Sequence, residues 1–166
     1  MTAISRFEFG HGYRLEPAGE EHRALAENWT AWDSYHAGKI EPGFWLSQGP
    51  CWDSYLLSDG KRPVFFFKIH REAESKAARF YIQYMPCATR GDRERVMEAM
   101  TVGCAWLEEK LRAAGVEEVS FTTQGENLLT FAQKRLGFTL DGEQPYQKEG
   151  QGELVLRKRL SHPEAG

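Results

Sequence analysis

Cysteine is scarce and scattered in this sequence. The three present, Cys51, Cys87 and Cys104, show no CxxC spacing and no histidine run beside them, so neither a disulfide framework nor a zinc cage is expected and a reducing compartment fits best. Long apolar runs are missing too. A membrane-spanning helix needs about 20 apolar residues, and the opening MTAISRFEFGHGYRLEP lacks the basic start and apolar stretch of a secretion signal. The expectation is a soluble, cytoplasmic protein with no membrane partner and no metal. An excess of one charge is also absent. Lys and Arg number 21 against 24 Asp and Glu, a formal net charge of -3, which gives no general attraction to nucleic acid and leaves anion binding to local clusters. Internal repeats, linkers and low-complexity tracts are missing as well, and 166 residues with 41% apolar and 13% aromatic content are enough for one domain with one sizeable core.

What is present reads as alternating sheet and helix. A short strand is expected around GYRLEPA. Leu25, Trp29, Trp32 and His36 then recur at helical spacing and share one face, with Gly38 as the stop. The segment KIEPGFWLSQGP, punctuated by Pro42, Gly43, Gly49 and Pro50, predicts a helical turn around Phe44, Trp45 and Leu46. Three strands follow as an antiparallel meander, WDSYLLS, PVFFFKIH and ARFYIQYMP. The middle one is apolar from Val64 to Ile69 except for Lys68, as expected of a strand covered on both faces. From Asp92 onward Val96, Met100, Gly103, Leu107 and Leu111 mark a long helix ending at Gly115. VEEVSFTT predicts a strand, Thr123 with Glu126 a capping box opening a helix that ends at Gly137, and the remainder two strands before the loose tail SHPEAG.

The strand RFYIQYMP running into TRGDRER and a long helix, together with the later VSFTTQGENLLTFAQKRLGF, resembles the GNAT acyltransferase superfamily over roughly Tyr13 to Leu160. The resemblance implies an α/β fold with a mixed, mostly antiparallel central sheet layered with helices. It also implies an acyl-CoA co-substrate, most simply acetyl-CoA, and direct acyl transfer to the amine of a small molecule or peptide, and it leaves room for a homodimer. In that family the strand before the long helix splays from the next one and offers its edge to pantetheine. The pyrophosphate meets backbone N–H groups at the helix start, where unpaired donors and a partial positive charge favour anions. The cofactor-side candidates carried over are the backbone of Tyr84 and Met85, the turn residues Arg90 and Gly91, and Asn127. The usual R-G-x-G-x-G pattern laid on Arg90 and Gly91 puts Arg93 and Arg95 where glycines stand, so guanidinium groups could grip phosphate from the side. Asp92 and Glu94 could instead neutralise them. In ENLLTFAQKRLGF, Gln133 or Ala132 falls where relatives often carry a tyrosine acid.

Acyl transfer to an amine calls for a base, so His36 and Glu41 are acceptor-side candidates, with Tyr81 and Gln83 reaching the reaction centre from one face of their strand. Tyr146 could cover the site. Cys87, beside the expected thioester path, is read as an ordinary loop cysteine. Seven rings between Trp29 and Tyr55, among them Trp29, Trp32, Tyr35 and Trp45, suggest an aromatic acceptor pocket. Such a pocket would suit a planar apolar group or a cation held on ring faces. The competing reading is an inactive module of the same shape that uses this aromatic face for binding.

Overall fold

The computed structural model describes residues 7–9, 12–31, 41–46, 48–87, 89–123, 126–145 and 152–160. Trp32, Tyr35, His36, Gly38, Tyr146 and the tail SHPEAG lie outside the described residues.

The three meander segments form strands of the expected kind: β3 (Trp52–Ser58), β4 (Pro63–His70) and β5 (Ala77–Tyr84). Every residue of β4 from Val64 to Ile69 is buried, Lys68 included, because helices cover both faces of the sheet. Ahead of them come β1 (Phe7–Phe9), too short to show as a pattern in sequence, and β2 (Tyr13–Pro17). A 3-10 turn (Glu20–His22) leads into α1 (Arg23–Ala31), and a second (Pro42–Leu46) carries Phe44, Trp45 and Leu46. After β5 the chain forms α2 (Arg90–Ala113), β6 (Glu118–Thr123) and α3 (Glu126–Phe131), which continues as a π-helical turn (Ala132–Leu136). Strands β7 (Thr139–Pro145) and β8 (Gly152–Arg159) close the order. Two sequence expectations shift here. Helix α2 begins at Arg90 rather than Asp92, and Thr123 is the last residue of β6, not a helix cap.

Among the described residues the strands make one sheet ordered β1-β2-β3-β4-β5-β6-β8-β7. All neighbours are antiparallel except β5 and β6, which are parallel because α2 carries the chain back across one face. Alternation along the strands then makes two cores. Tyr55, Leu57, Phe65, Phe67 and Phe80 meet Met100, Leu107 and Leu111 of α2 on one face. Leu56 and Phe66 meet Ala26 and Trp29 of α1 and Trp45 of the 3-10 turn on the other. No described helix is long and apolar enough to cross a membrane.

Two glycines allow unusually close approaches between elements. Gly60 adopts φ +92° in the β3–β4 hairpin, and an added Cβ there would sit 2.7 Å from the carbonyl oxygen of Gly12, so the hairpin tip lies directly on that backbone. At Gly103 a Cβ would come within 3.0 Å of Phe65 Cζ, so α2 presses closely onto β4. Overpacking costs about 1–3 kcal/mol, whereas replacing a helical glycine by alanine gains roughly 1 kcal/mol. Gly103→Ala should therefore leave the urea midpoint nearly unchanged while Gly103→Leu lowers it clearly. Equal stability of the Leu variant and the natural protein would contradict so close a helix.

Candidate functional site

The sheet opens between its two parallel strands. Ala77, Ala78 and Arg79 of β5 pair with Glu118, Val119 and Ser120 of β6, and the pairing then stops. Beyond that point β5 stays with β4 as far as the Tyr84–Phe65 pair, and β6 stays with β8 as far as Thr123. A wedge is left between them. The Met85 N–H donates to the Val64 carbonyl of β4 at 2.9 Å. Because successive peptide groups alternate in direction along a strand, the N–H and C=O of Ile82 and of Tyr84 point away from β4, toward the wedge. The sequence expectation that Met85 offers its backbone there is thus corrected: its amide already serves the sheet. Side chains alternate with the same period. Phe80 and Ile82 line an apolar recess beneath α2 together with Met100, Gly103 and Cys104, whereas Tyr81 belongs to the α1 face and Gln83, paired with Phe66, shares that face.

Helix α2 begins where β5 ends. Thr89 is its cap, the hydroxyl oxygen accepting the Asp92 N–H at 3.3 Å, and the amides of Arg90 and Gly91 at the first turn have no partner within the helix. The spacing Thr-x-x-Asp already carried that signal in the sequence. An added Cβ at Gly91 meets only the Thr89 hydroxyl, at 3.8 Å, so the approach to these amides is open.

The three arginines fare differently. Arg90 is exposed and paired with Glu94 at 3.3 Å. Arg93 is exposed and carries no ion pair among the described residues. Arg95 turns inward, its Nε 3.2 Å from Asp59 Oδ2 with side-chain exposures of only 14% and 17%, and an Nη against the sulfur of Met85. The other Asp59 oxygen accepts the N–H groups of Lys61 and Arg62 at 3.0 and 2.9 Å, and Arg62 stands 3.6 Å from Asp92. Tyr13 of β2 adds a further tie. Burial and its hydrogen bond with Glu98 push its hydroxyl up to about 12, so it remains a donor to that carboxylate. The expectation that Arg93 and Arg95 act as a pair on phosphate is thereby changed: Arg93 is available, while Arg95 joins the hairpin to the helix.

On the α1 face Tyr81 meets Phe44 and Trp52 at ring-centroid distances of 5.4 and 5.8 Å. Lys68, opposite Tyr81 in the ladder, is 3% exposed. Its Nζ donates to the Phe44 carbonyl at 2.7 Å and lies 4.2 Å from the Phe44 ring and 4.9 Å from that of Trp52. Burial lowers its pKa, since leaving water disfavours the charged form. The Arg79 guanidinium lies over Tyr81 at 5.4 Å. Gln83 is 6% exposed, and its Oε1 has no hydrogen-bond partner among the described residues. Sequence reasoning noted Lys68 only as a break in an apolar run, and counted Phe44 and Trp52 among the seven rings without singling them out.

The other candidates are dispersed. Trp29 and Trp45 are buried in the second core. Glu41 is exposed at the entry of the 3-10 turn, its carbonyl accepting the Phe44 N–H at 3.0 Å. Asn127 lies in α3, and its side chain is outside the described residues. His22, unremarked in the sequence, is engaged at both nitrogens: Nδ1 accepts the Gly19 N–H at 3.1 Å and Nε2 is 3.4 Å from Glu16. Cys87 donates to the Met85 carbonyl at 3.5 Å, and burial raises its pKa, so it is no thiolate. Ala132 is buried and Gln133 exposed, and neither is an acid.

No protein-family model and no curated protein sequence matches this chain. Solved structures do. A spermidine N-acetyltransferase chimera from Vibrio cholerae and hSSAT superposes with a TM-score of 0.69 at 12% identity, over 90% of this chain and 96% of that one. The ribosomal-protein-S18-alanine N-acetyltransferase of Escherichia coli gives 0.67 at 14%, over 92% and 97%. An aminoglycoside N(6')acetyltransferase from Legionella pneumophila gives 0.64 at 11%, over 92% and 94%. The chain has the GNAT fold.

Removing the Asp59 carboxylate would leave a largely buried guanidinium without its counter-ion and two hairpin amides without an acceptor. Asp59→Ala should therefore cost about 1–3 kcal/mol in chemical denaturation, while Arg90→Ala leaves the midpoint where it is because exposed pairs contribute little. The reverse order would show that Arg95 is not held inward.

Proposed function

We propose that this protein is an acyl-CoA-dependent N-acyltransferase working by direct transfer to an amine. The observation that carries the reading is the wedge between β5 and β6 opening beside the uncapped first-turn amides of α2. An extended chain bearing amides can pair with the edge at Ile82, and an attached pyrophosphate then reaches the N–H groups of Arg90 and Gly91, favoured by the helix dipole. Gly91 leaves that approach open, and the exposed Arg93 one turn along adds a cation. Coenzyme A, an extended amide-bearing arm ending in pyrophosphate, fits this donor set. The three solved structures that share this fold carry N-acetyltransferase names, which supports the same class of chemistry.

In this reading the co-substrate supplies a thioester. Tyr81 and Gln83, on the α1 face of the same strand, meet the acceptor. The amine nitrogen forms the new C–N bond while the C–S bond breaks, and the proton lost by nitrogen ends on the departing thiol.

A ligand that prefers the native state raises its stability by mass action. Acetyl-CoA at a hundredfold excess over Kd should raise Tm by roughly 5–10 °C. Gly91→Val should fold normally and lose that shift, and Arg93→Ala should weaken binding by about tenfold. No shift at millimolar acetyl-CoA would refute the reading.

A further inference from the structure

We propose, building on the acyltransferase reading, that the acceptor is an aromatic primary amine, uncharged near neutral pH, whose ring lies on the Phe44–Trp52–Tyr81 wall and whose N–H donates to Gln83. An aromatic wall alone would suit a planar apolar group or a cation equally well. Here the protein's own cations decide the matter. Lys68 lies on Phe44 and Trp52, and Arg79 on Tyr81. The negative ring faces are already engaged, and an incoming ammonium would meet two like charges in a partly desolvated place. The imidazole of His70, stacked on Trp52 at 4.1 Å, has Glu72 beside it at 3.2 Å, so that carboxylate is already committed. Glu16 is likewise committed to His22, across Phe66. Glu41 stands exposed at the turn entry.

Phe44, Trp52 and Tyr81 are each only half-buried, unlike Trp29 and Trp45, so they retain surface to offer. Gln83 supplies the polar half of the recognition. Two residues along from Tyr81 on the same face, it keeps a buried carbonyl oxygen with no donor among the described residues, a group that a folded chain completes with water or a ligand. A glutamine does not ionise, so it can accept an N–H but cannot take a proton from an ammonium. That matches an amine which arrives neutral, already in its nucleophilic form. On reaction its nitrogen bonds to the thioester carbon, the C–S bond breaks, and one amine proton passes to the thiol.

The test compares p-anisidine with spermidine and kanamycin as acceptors, with acetyl-CoA, following thiol release and product mass. The expected result is a kcat/KM for p-anisidine at least about tenfold above either polycation. Gln83→Leu should lower that value by about tenfold or more while the acetyl-CoA melting shift persists. Lys68→Met should narrow the preference against spermidine. Should either variant fail to fold, Gln83→Glu keeps the shape and should raise spermidine use relative to p-anisidine. Preference for a polycation, no acetylation of p-anisidine by protein that binds acetyl-CoA, or an unaltered Gln83→Leu enzyme would overturn the assignment. Absence of any acetyl-CoA shift would instead overturn the acyltransferase reading beneath it.

Discussion

The parting of β5 from β6 after the Arg79–Ser120 pair is the constraint on which the rest of the structure turns. Strands in a packed sheet normally satisfy each other's peptide groups, and a buried group left without a partner is costly. Each parted strand keeps a full neighbour on its other side, β4 for β5 and β8 for β6, which holds the strand extended beside the opening. The opening then gives the molecule an edge that is extended, rigid and hydrogen-bonding, with the start of a long helix at its end. Few arrangements suit an elongated ligand with amides along it and anionic charge at one end as directly.

That edge is useful only if the helix start is held beside it. Where relatives of this shape are expected to carry a glycine, Arg95 instead reaches back to Asp59 and Met85. Arg62 with Asp92, and Tyr13 with Glu98, tie neighbouring turns of α2 to the same hairpin and strand. The bulky residue does not fill the anion approach, because its side chain leaves in the other direction. The arginine that departs from the family's glycine pattern in sequence is, in three dimensions, a clasp on the start of α2.

Much of this was legible in the sequence. The meander, the long helix, the order of elements along the chain and the two alternating faces of RFYIQYM follow from period and punctuation, which is why Tyr81 and Gln83 could be assigned to one face. Other features were hidden because they are long-range. Nothing near Arg95 announces a partner in the β3–β4 hairpin, and nothing near Lys68 announces the ring of Phe44 above it. Aromatic composition could not separate Trp29 and Trp45, which are core, from Phe44 and Trp52, which keep surface. Burial is a property of the assembled layers, and the sequence specifies only the period that leads to it. Strand β1, three residues long, falls below any pattern.

The central claim is that the β5 edge and the α2 start act together as one ligand-holding surface. Amide hydrogen exchange with and without acetyl-CoA tests it most directly, because it reads individual backbone donors. The account predicts that the ligand slows exchange at Ile82 and at Gly91 together, with β1 and β2 unaffected. Exchange at Ile82 unchanged while acetyl-CoA binds elsewhere would contradict it.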